Sequence, residues 1–442
     1  MYGLHDSIFA NIVEFSCFYL IQNVIPSVIL ITTRKRSPLR YLCIPWMIWI
    51  ASRFIRPFGS SGSPMWCQAV TQLVVATLQA TNLLLINPLD GLDISRAANN
   101  DLSFRCRLMG AVRLIAQTRA VNTPWQVKNV PSHPKYYDRR GLQVPSRGRF
   151  LIRQLSIAVW QYLVLDIVQT ISLQQAIERG LPEPGSITID WVVPARQWAE
   201  RIATHLSIWF LVNRLIGDLA YRTLSIIFVG IVQDSPSDWP PAFGSMANLI
   251  TIRTFWGQVM NIQRDFHSIN TSYRSFWHQF MRQPFTAIGN FIARDVLNLT
   301  RSSILERYTN LFIVFLVSAI FHVMVDILQS VPMENSGSMP FYLAFVLGIM
   351  LEDGVQAIWK CKEKAKLSTD IVPLWKRAIG LLWIMIWLAV TSTWYFTPMI
   401  QSTTEDLRMV PFSVAKYFGL EPLIGIVLGS GVAISFIFEV EI

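Results

Sequence analysis

The sequence is poor in charge. Only 15% of its 442 residues are Asp, Glu, Lys or Arg, whereas a soluble globular chain carries about 25%. A soluble domain of this length would need more polar surface, which argues against that class. Cysteine is scarce too: Cys17, Cys43, Cys67, Cys106 and Cys361 stand far apart. An odd, scattered set supports neither a disulfide framework nor a zinc site. The chain has no internal repeat, no low-complexity tract and no G-x-S-x-G motif. The first apolar stretch, about 8–31, is longer than the hydrophobic region of a secretory signal and precedes Arg34-Lys35-Arg36. An uncleaved span is therefore expected there, not a removable leader.

Apolar and aromatic residues fill the gap. The chain is 52% hydrophobic and holds 16 Trp and 12 Tyr, amphipathic rings that suit membrane–water interfaces. A span needs about 20 mainly apolar residues. Candidates lie at 8–31, 41–57, 65–86, 150–172, 205–233, 308–329, 340–359, 379–397 and 422–440. The expected fold is an all-α polytopic integral membrane protein with about eight to nine transmembrane helices. The 41–57 segment is interrupted by Arg53 and Arg56, and 205–233 carries Arg214, Asp218 and Arg222 at four-residue spacing. Those three share a helix face that must meet protein, water or headgroups.

The net charge of +10 fits basic cytoplasmic loops better than nucleic-acid binding. Arg34, Lys35, Arg36 and Arg40 follow the first span, and 87–149 holds eleven basic against four acidic residues. Further basic segments are 234–307 and 360–378, while 58–64, 174–204, 331–339 and 398–421 are poorer in base. Excess positive charge marks the cytoplasmic side. Nine spans then alternate, with a lumenal N-terminus and a cytoplasmic C-terminus.

Within 311–325, a run of Leu, Ile, Val and Phe, stands His322. A charged group at the centre of a span costs about 2.5–3.5 kcal/mol, so ionisable residues there tend to mark a pathway or a reaction site. The plainer alternative is a buried histidine bonded to a neighbouring helix. Asp326 falls on the same helix face; a place near the lumenal interface is favoured over orienting the imidazole. Glu352-Asp353 reads as a structural pair for arginines on other helices. His205, His133 and His5 read as surface or interface residues. On the cytoplasmic side, Thr123-Pro124-Trp125 suggests a rigid interfacial loop. Asp238-Trp239-Pro240-Pro241, Arg253-Thr254-Phe255-Trp256 and Phe276-Trp277-His278-Gln279 are aromatic-rich without forming a span. His278 lies between Arg274 and Arg282, a setting for an anionic, water-borne substrate.

Taken together, Trp239-Pro240-Pro241-x-Phe243-Gly244-Ser245, Arg253-x-Phe255-Trp256-Gly257, Trp277-His278-Gln279 and Ser318-Ala319-x-x-His322 resemble the wax-synthase-like branch of the membrane-bound O-acyltransferases. Thr123-Pro124-Trp125 and the stretch Leu347–Gly354 match as well, so the resemblance covers about 120–400. It is nearest to fungal enzymes that acetylate hydroxyls of terpenoid and meroterpenoid natural products. It implies helices around an intramembrane reaction chamber and the catalytic pair His322 and His278. It divides the chain into N-terminal spans (1–86), a basic cytoplasmic loop (87–149) and an acyltransferase core (150–442). The chain departs from the pattern at one place: Gln258–Phe276 separate Gly257 from Trp277. This polar insert is either a genuine loop or a retained intron, and His267 inside it is set aside as a catalytic residue.

The implied reaction is acyl transfer from an acyl-CoA, acetyl-CoA by the resemblance, to a lipophilic alcohol arriving through membrane lipid, most naturally in the endoplasmic reticulum. Imidazole suits removal of the alcohol proton, its ordinary pKa being about 6.5. His322 is the expected general base and His278 the group that positions the thioester or stabilises the oxyanion. Arg253, Arg274 and Arg282, with Trp277, are the expected contacts to coenzyme A; neither a metal nor an acyl-enzyme is required. A long-chain acyl donor forming wax-type esters stays open. A transporter using His322, Asp326 and Arg214 competes, against the absence of repeats and paired broken helices. A membrane terpene cyclase competes less well, because acid pairs dominate no span. The orientation carries its own test. Asn270-Thr271-Ser272 and Asn298-Leu299-Thr300 face the cytoplasm and stay unmodified, so glycosidase treatment is expected to leave mobility unchanged; a glycan at Asn298 would overturn the topology.

Overall fold

The computed structural model describes residues 2–59, 64–98, 100–101, 103–138, 145–179, 192–244, 249–256, 279–363, 374–401 and 409–438. Sixteen α-helices run through them: α1 (Tyr2–Thr32), α2 (Pro38–Gly59), α3 (Pro64–Thr81), α4 (Gly91–Ala97), α5 (Phe104–Ala116), α6 (Lys135–Asp138), α7 (Arg147–Arg179), α8 (Ala195–Ser207), α9 (Arg214–Ile227), α10 (Ile252–Phe255), α11 (Arg282–Asn290), α12 (Ile304–Leu328), α13 (Ser338–Glu363), α14 (Leu374–Gln401), α15 (Ala415–Phe418) and α16 (Leu420–Phe438). No strand occurs among the described residues. Wider π turns extend α3 (Asn82–Ile86), join α8 to α9 (Ile208–Asn213), and follow α9 (Phe228–Val232) and α11 (Phe291–Val296).

Among the described residues, eight helical segments are long and apolar enough to cross a bilayer: Val13–Thr32, Ala69–Ile86, Arg147–Gln175, Ala195–Val232, Ile304–Leu328, Met333–Trp359, Leu374–Gln401 and Leu420–Phe438. The protein is therefore an all-α, multi-pass membrane protein. The expected span at 41–57 forms α2, whose 22 residues reach about 33 Å at 1.5 Å per residue. It has the length of a span, but Arg40, Arg53 and Arg56 dilute its apolar character.

The chain folds as two compact units, 1–127 with 280–330, and 128–279 with 331–442. Helix α12, which carries His322, thus belongs with the N-terminal helices.

In the first unit, Leu30, Met47, Leu84 and Ile115 form one apolar core, and Ile50, Val70, Leu73 and Leu328 form another. Helix ends need partners for their last carbonyls, and Arg40 supplies them for α1. Its Nη2 donates to Leu30 O (3.1 Å) and Thr33 O (2.9 Å), and its Nε to Thr33 Oγ1 (3.0 Å). Arg40 is fully buried, so it is a structural cation and not part of the basic loop surface. Ser303 starts α12 by accepting from Glu306 N at 3.1 Å.

In the second unit, Trp209 is the largest fully buried side chain. Its Nε1 donates to Ser392 Oγ at 2.7 Å, and the rings of Phe255, Trp256, Phe341 and Phe396 stand 5.3–6.0 Å away. The charged face of α9 turns inward as its spacing requires. Asp218 Oδ2 accepts from Arg222 Nε and Gln161 Nε2, both at 2.7 Å, and Arg222 Nη1 donates to Gln154 Oε1.

Removing the Arg40 guanidinium leaves buried carbonyls without donors. Arg40→Ala is expected to cost about 3 kcal/mol and lower the melting temperature of detergent-solubilised protein, with only partial recovery in Arg40→Lys, whose single nitrogen cannot replace the separate Nε and Nη2 donors. Arg36→Ala, on the exposed side of the same turn, is expected to be neutral.

Candidate active site

His322 lies in the third quarter of α12. At about 100° per residue, Phe315, Ala319 and Asp326 fall within roughly 60° of it, and Ile320 lies roughly 160° away. The first three are 0–3% exposed and Ile320 is 58% exposed. The imidazole therefore stands on the protein-facing side of the helix, yet it is itself half-buried. Ser318 and Val325, roughly 40° and 60° from it, are half-buried as well. Asp326, expected at a lumenal interface, is only 3% exposed, because it shares this inward face.

The ring is held by its own helix. Nδ1 lies 2.8 Å from Ser318 O, and the Phe321 ring stands edge-on at 5.3 Å. A carbonyl oxygen only accepts, so the proton sits on Nδ1. In the neutral tautomer the lone pair is then on Nε2. The partner four residues back is a backbone atom, so Asp326 is not needed to fix the tautomer. This is the physical content of the Ser318-to-His322 spacing.

Arg282 opens α11, which packs on α12 through Phe285 and Phe321, 6.1 Å apart. Burial pushes the Arg282 guanidinium down to about 10. The backbone around it is pinned. Phe280 O accepts from Thr118 Oγ1, the Arg119 guanidinium lies 5.4 Å over the Phe280 ring, and Gln283 bridges Trp125 O (3.4 Å) and Gln79 Nε2 (2.8 Å). Gln79 is fully buried and also donates to Leu114 O at 3.1 Å. In the second unit Gln279 donates to Lys128 O and Asn129 O at 3.3 and 3.2 Å. The Thr123-Pro124-Trp125 loop is a tight turn, Thr123 Oγ1 donating to Ala120 O at 2.7 Å. Asn122 and Asn129 take left-handed φ of 57° and 63°, which asparagine tolerates.

His278, Trp277 and Arg274 lie outside the described residues, so their place relative to His322 is not described. Arg253 belongs to the second unit and is engaged there. Its Nη2 donates to Asp353 Oδ2 at 2.7 Å with both side chains largely buried. Next to it, Glu352 Oε1 accepts from Ile252 N (2.6 Å) and Trp383 Nε1 (3.0 Å). The two acids together hold the Ile252–Trp256 turn; Asp353 pairs with an arginine as expected, while Glu352 bonds a backbone amide and an indole. Gly380 and Gly348 make room for this turn: a Cβ at Gly380 would meet Ile250 O at 2.0 Å, and one at Gly348 would meet Ile252 Cδ1 at 2.7 Å.

Two further outcomes differ from expectation. His205 is buried against Phe396, 5.8 Å between rings, and not at an interface, because α8 turns that face toward α14. The buried carboxamides Gln22, Gln79, Asn82 and Asn310 were missed; the available signal was an amide side chain inside an apolar run. His133 is half-buried, its Nε2 3.2 Å from Ser237 O.

Residues 259–344 match the family described as membrane bound O-acyl transferase. The stretch begins inside the 258–276 insert and includes Arg274, Trp277, His278, Arg282 and His322. The chain is also similar along most of its length to proteins named acetyltransferases. Acetyltransferase spyB of Aspergillus fumigatus is 34% identical over 440 residues, 96% of this chain and 71% of the relative. Acetyltransferase pyr8 of the same organism is 34% identical, covering 96% of each chain. Acetyltransferase TRI7 of Fusarium sporotrichioides is 34% identical, covering 85% of this chain and 82% of the relative. No solved structure matches the chain.

The Arg253–Asp353 pair gives a measurable expectation. Each alanine substitution alone is expected to lower stability, and the double variant to lower it little further, a coupling of about 1–2 kcal/mol in a thermal-melt cycle. Additive losses would show that the two side chains act apart. A rise in KM for acyl-CoA that persists on removing Arg253 from the Asp353→Ala protein would reveal a donor contact separate from the ion pair.

Proposed function

This chain belongs to the membrane bound O-acyl transferase family, and from that premise we propose that it transfers an acetyl group from acetyl-CoA to a hydroxyl of a lipophilic terpenoid or meroterpenoid, with His322 as general base. It is an acyltransferase, which sets the transporter and cyclase readings aside. The observation that carries the proposal is the Nδ1–Ser318 O bond at 2.8 Å, which leaves Nε2 as the basic nitrogen on the inward face of the span. The relatives' names favour acetyl as the acyl group; the acceptor class rests on the motif resemblance, and the endoplasmic reticulum is the proposed location.

Nε2 accepts the alcohol proton as the alcohol oxygen attacks the thioester carbonyl carbon. The oxyanion that forms is met by His278. When the C–S bond breaks, the imidazolium returns the proton to the departing thiolate, and ester and coenzyme A leave. No acyl-enzyme intervenes. Arg282, Arg274 and Arg253, with Trp277, take the coenzyme.

Microsomes bearing the protein, given labelled acetyl-CoA and a hydroxylated terpenoid, are expected to form the ester. His322→Ala should lower the rate by at least about 10²-fold with protein level unchanged; normal turnover in that variant would remove the base assignment. His278→Asn is expected to keep much of the rate, because an amide can still position the thioester. Rates that rise with donor chain length from acetyl to palmitoyl would favour wax-type ester synthesis instead.

A further inference from the structure

Gln79 is fully buried within the apolar segment Ala69–Ile86, and both of its polar atoms are committed. Its Nε2 donates to Leu114 O at 3.1 Å and to Gln283 Oε1 at 2.8 Å. Those two bonds use both amide hydrogens. Its Oε1 accepts from Asn82 Nδ2 at 3.4 Å, and Asn82 Oδ1 accepts from Asn87 Nδ2 at 2.8 Å. Gln283 carries the chain onward, its Nε2 donating to Trp125 O at 3.4 Å. Four carboxamides therefore run head to tail from the end of α3 to the Thr123-Pro124-Trp125 loop.

Backbone fixes the direction of this chain. Leu114 O and Trp125 O only accept, so Gln79 and Gln283 must each turn the amide nitrogen toward them. That leaves Gln283 Oε1 facing Gln79. A glutamate carboxylate in place of Gln79 would bring no hydrogen to either acceptor, and a methionine would bring no donor.

What the chain holds is the start of α11. Arg282 is the first residue of that helix and Gln283 the second. Just upstream, Phe280 O accepts from Thr118 Oγ1, and the Arg119 guanidinium lies 5.4 Å over the Phe280 ring. Arg282 thus stands between two anchored neighbours, and the anchor at Gln283 depends on Gln79. His322 needs none of this, because its ring is held by its own helix. We propose that Gln79 is a positioning residue for the acyl donor: it seats the first turn of α11 so that Arg282 meets the phosphates of coenzyme A. The role rests on the reading of Arg282 as a donor contact.

The readout is donor affinity, measured as retention of labelled acetyl-CoA by purified full-length protein in detergent, beside the melting temperature. Gln79→Met is expected to weaken binding about fivefold or more, while turnover at saturating donor stays within about twofold of the unaltered protein. Combining Gln79→Met with Gln283→Met removes both partners of their bond, so part of the lost melting temperature should return. The weak binding should persist, because the tie from α3 to Gln283 is still cut. Affinity that recovers together with the melting temperature would make Gln79 purely structural and overturn the role, as would normal affinity in Gln79→Met. Gln283→Met alone cuts the same link and keeps the Leu114 bond, so it supplies the comparison if Gln79→Met does not fold. Arg282→Ala separates the two readings. Weak binding there with normal binding in Gln79→Met overturns only the positioning role; normal binding in Arg282→Ala overturns the donor contact and this role with it.

Discussion

Inside a bilayer there is no water to complete a hydrogen bond, so each polar group must find its partner within the protein. That constraint organises both units. Arg40 closes the end of α1 by reaching back to its carbonyls. Gln79 ties α3 to Gln283 and Leu114. Asp218 and Arg222 on α9 and Gln161 on α7 satisfy one another, and Trp209 gives its indole N–H to Ser392. His322 obeys the same rule through the carbonyl one turn earlier. The role proposed for it as general base rests on that contact.

The aromatic motifs do two kinds of work. Trp256 and Phe255 pack around Trp209, and Trp239 packs between Tyr221 and Phe228. These rings fill space and set the turns on which neighbouring polar groups are mounted. The polar members of the same motifs hold those turns in register: Arg253 with Asp353, and Gln279 with the carbonyls of Lys128 and Asn129.

Hydrophobic run length, basic loops and motif spacing sufficed to read the all-α membrane architecture, nearly every span and the family, because bilayer thickness imposes a length on each helix that composition alone reveals. The intramembrane histidine was visible for the same reason: an ionisable residue stands out in an apolar run. Tertiary structure decided what depends on the rotation and company of a helix. It turned Asp326 inward, buried His205, converted Arg40 from a loop charge into a helix cap, and joined Arg253 to Asp353, a hundred residues away. It also showed the carboxamides Gln79 and Asn82 to be structural bonds. Sequence position sets a side chain's angle around its own helix, but only packing against other helices determines which angles face protein, and only there do distant polar groups meet.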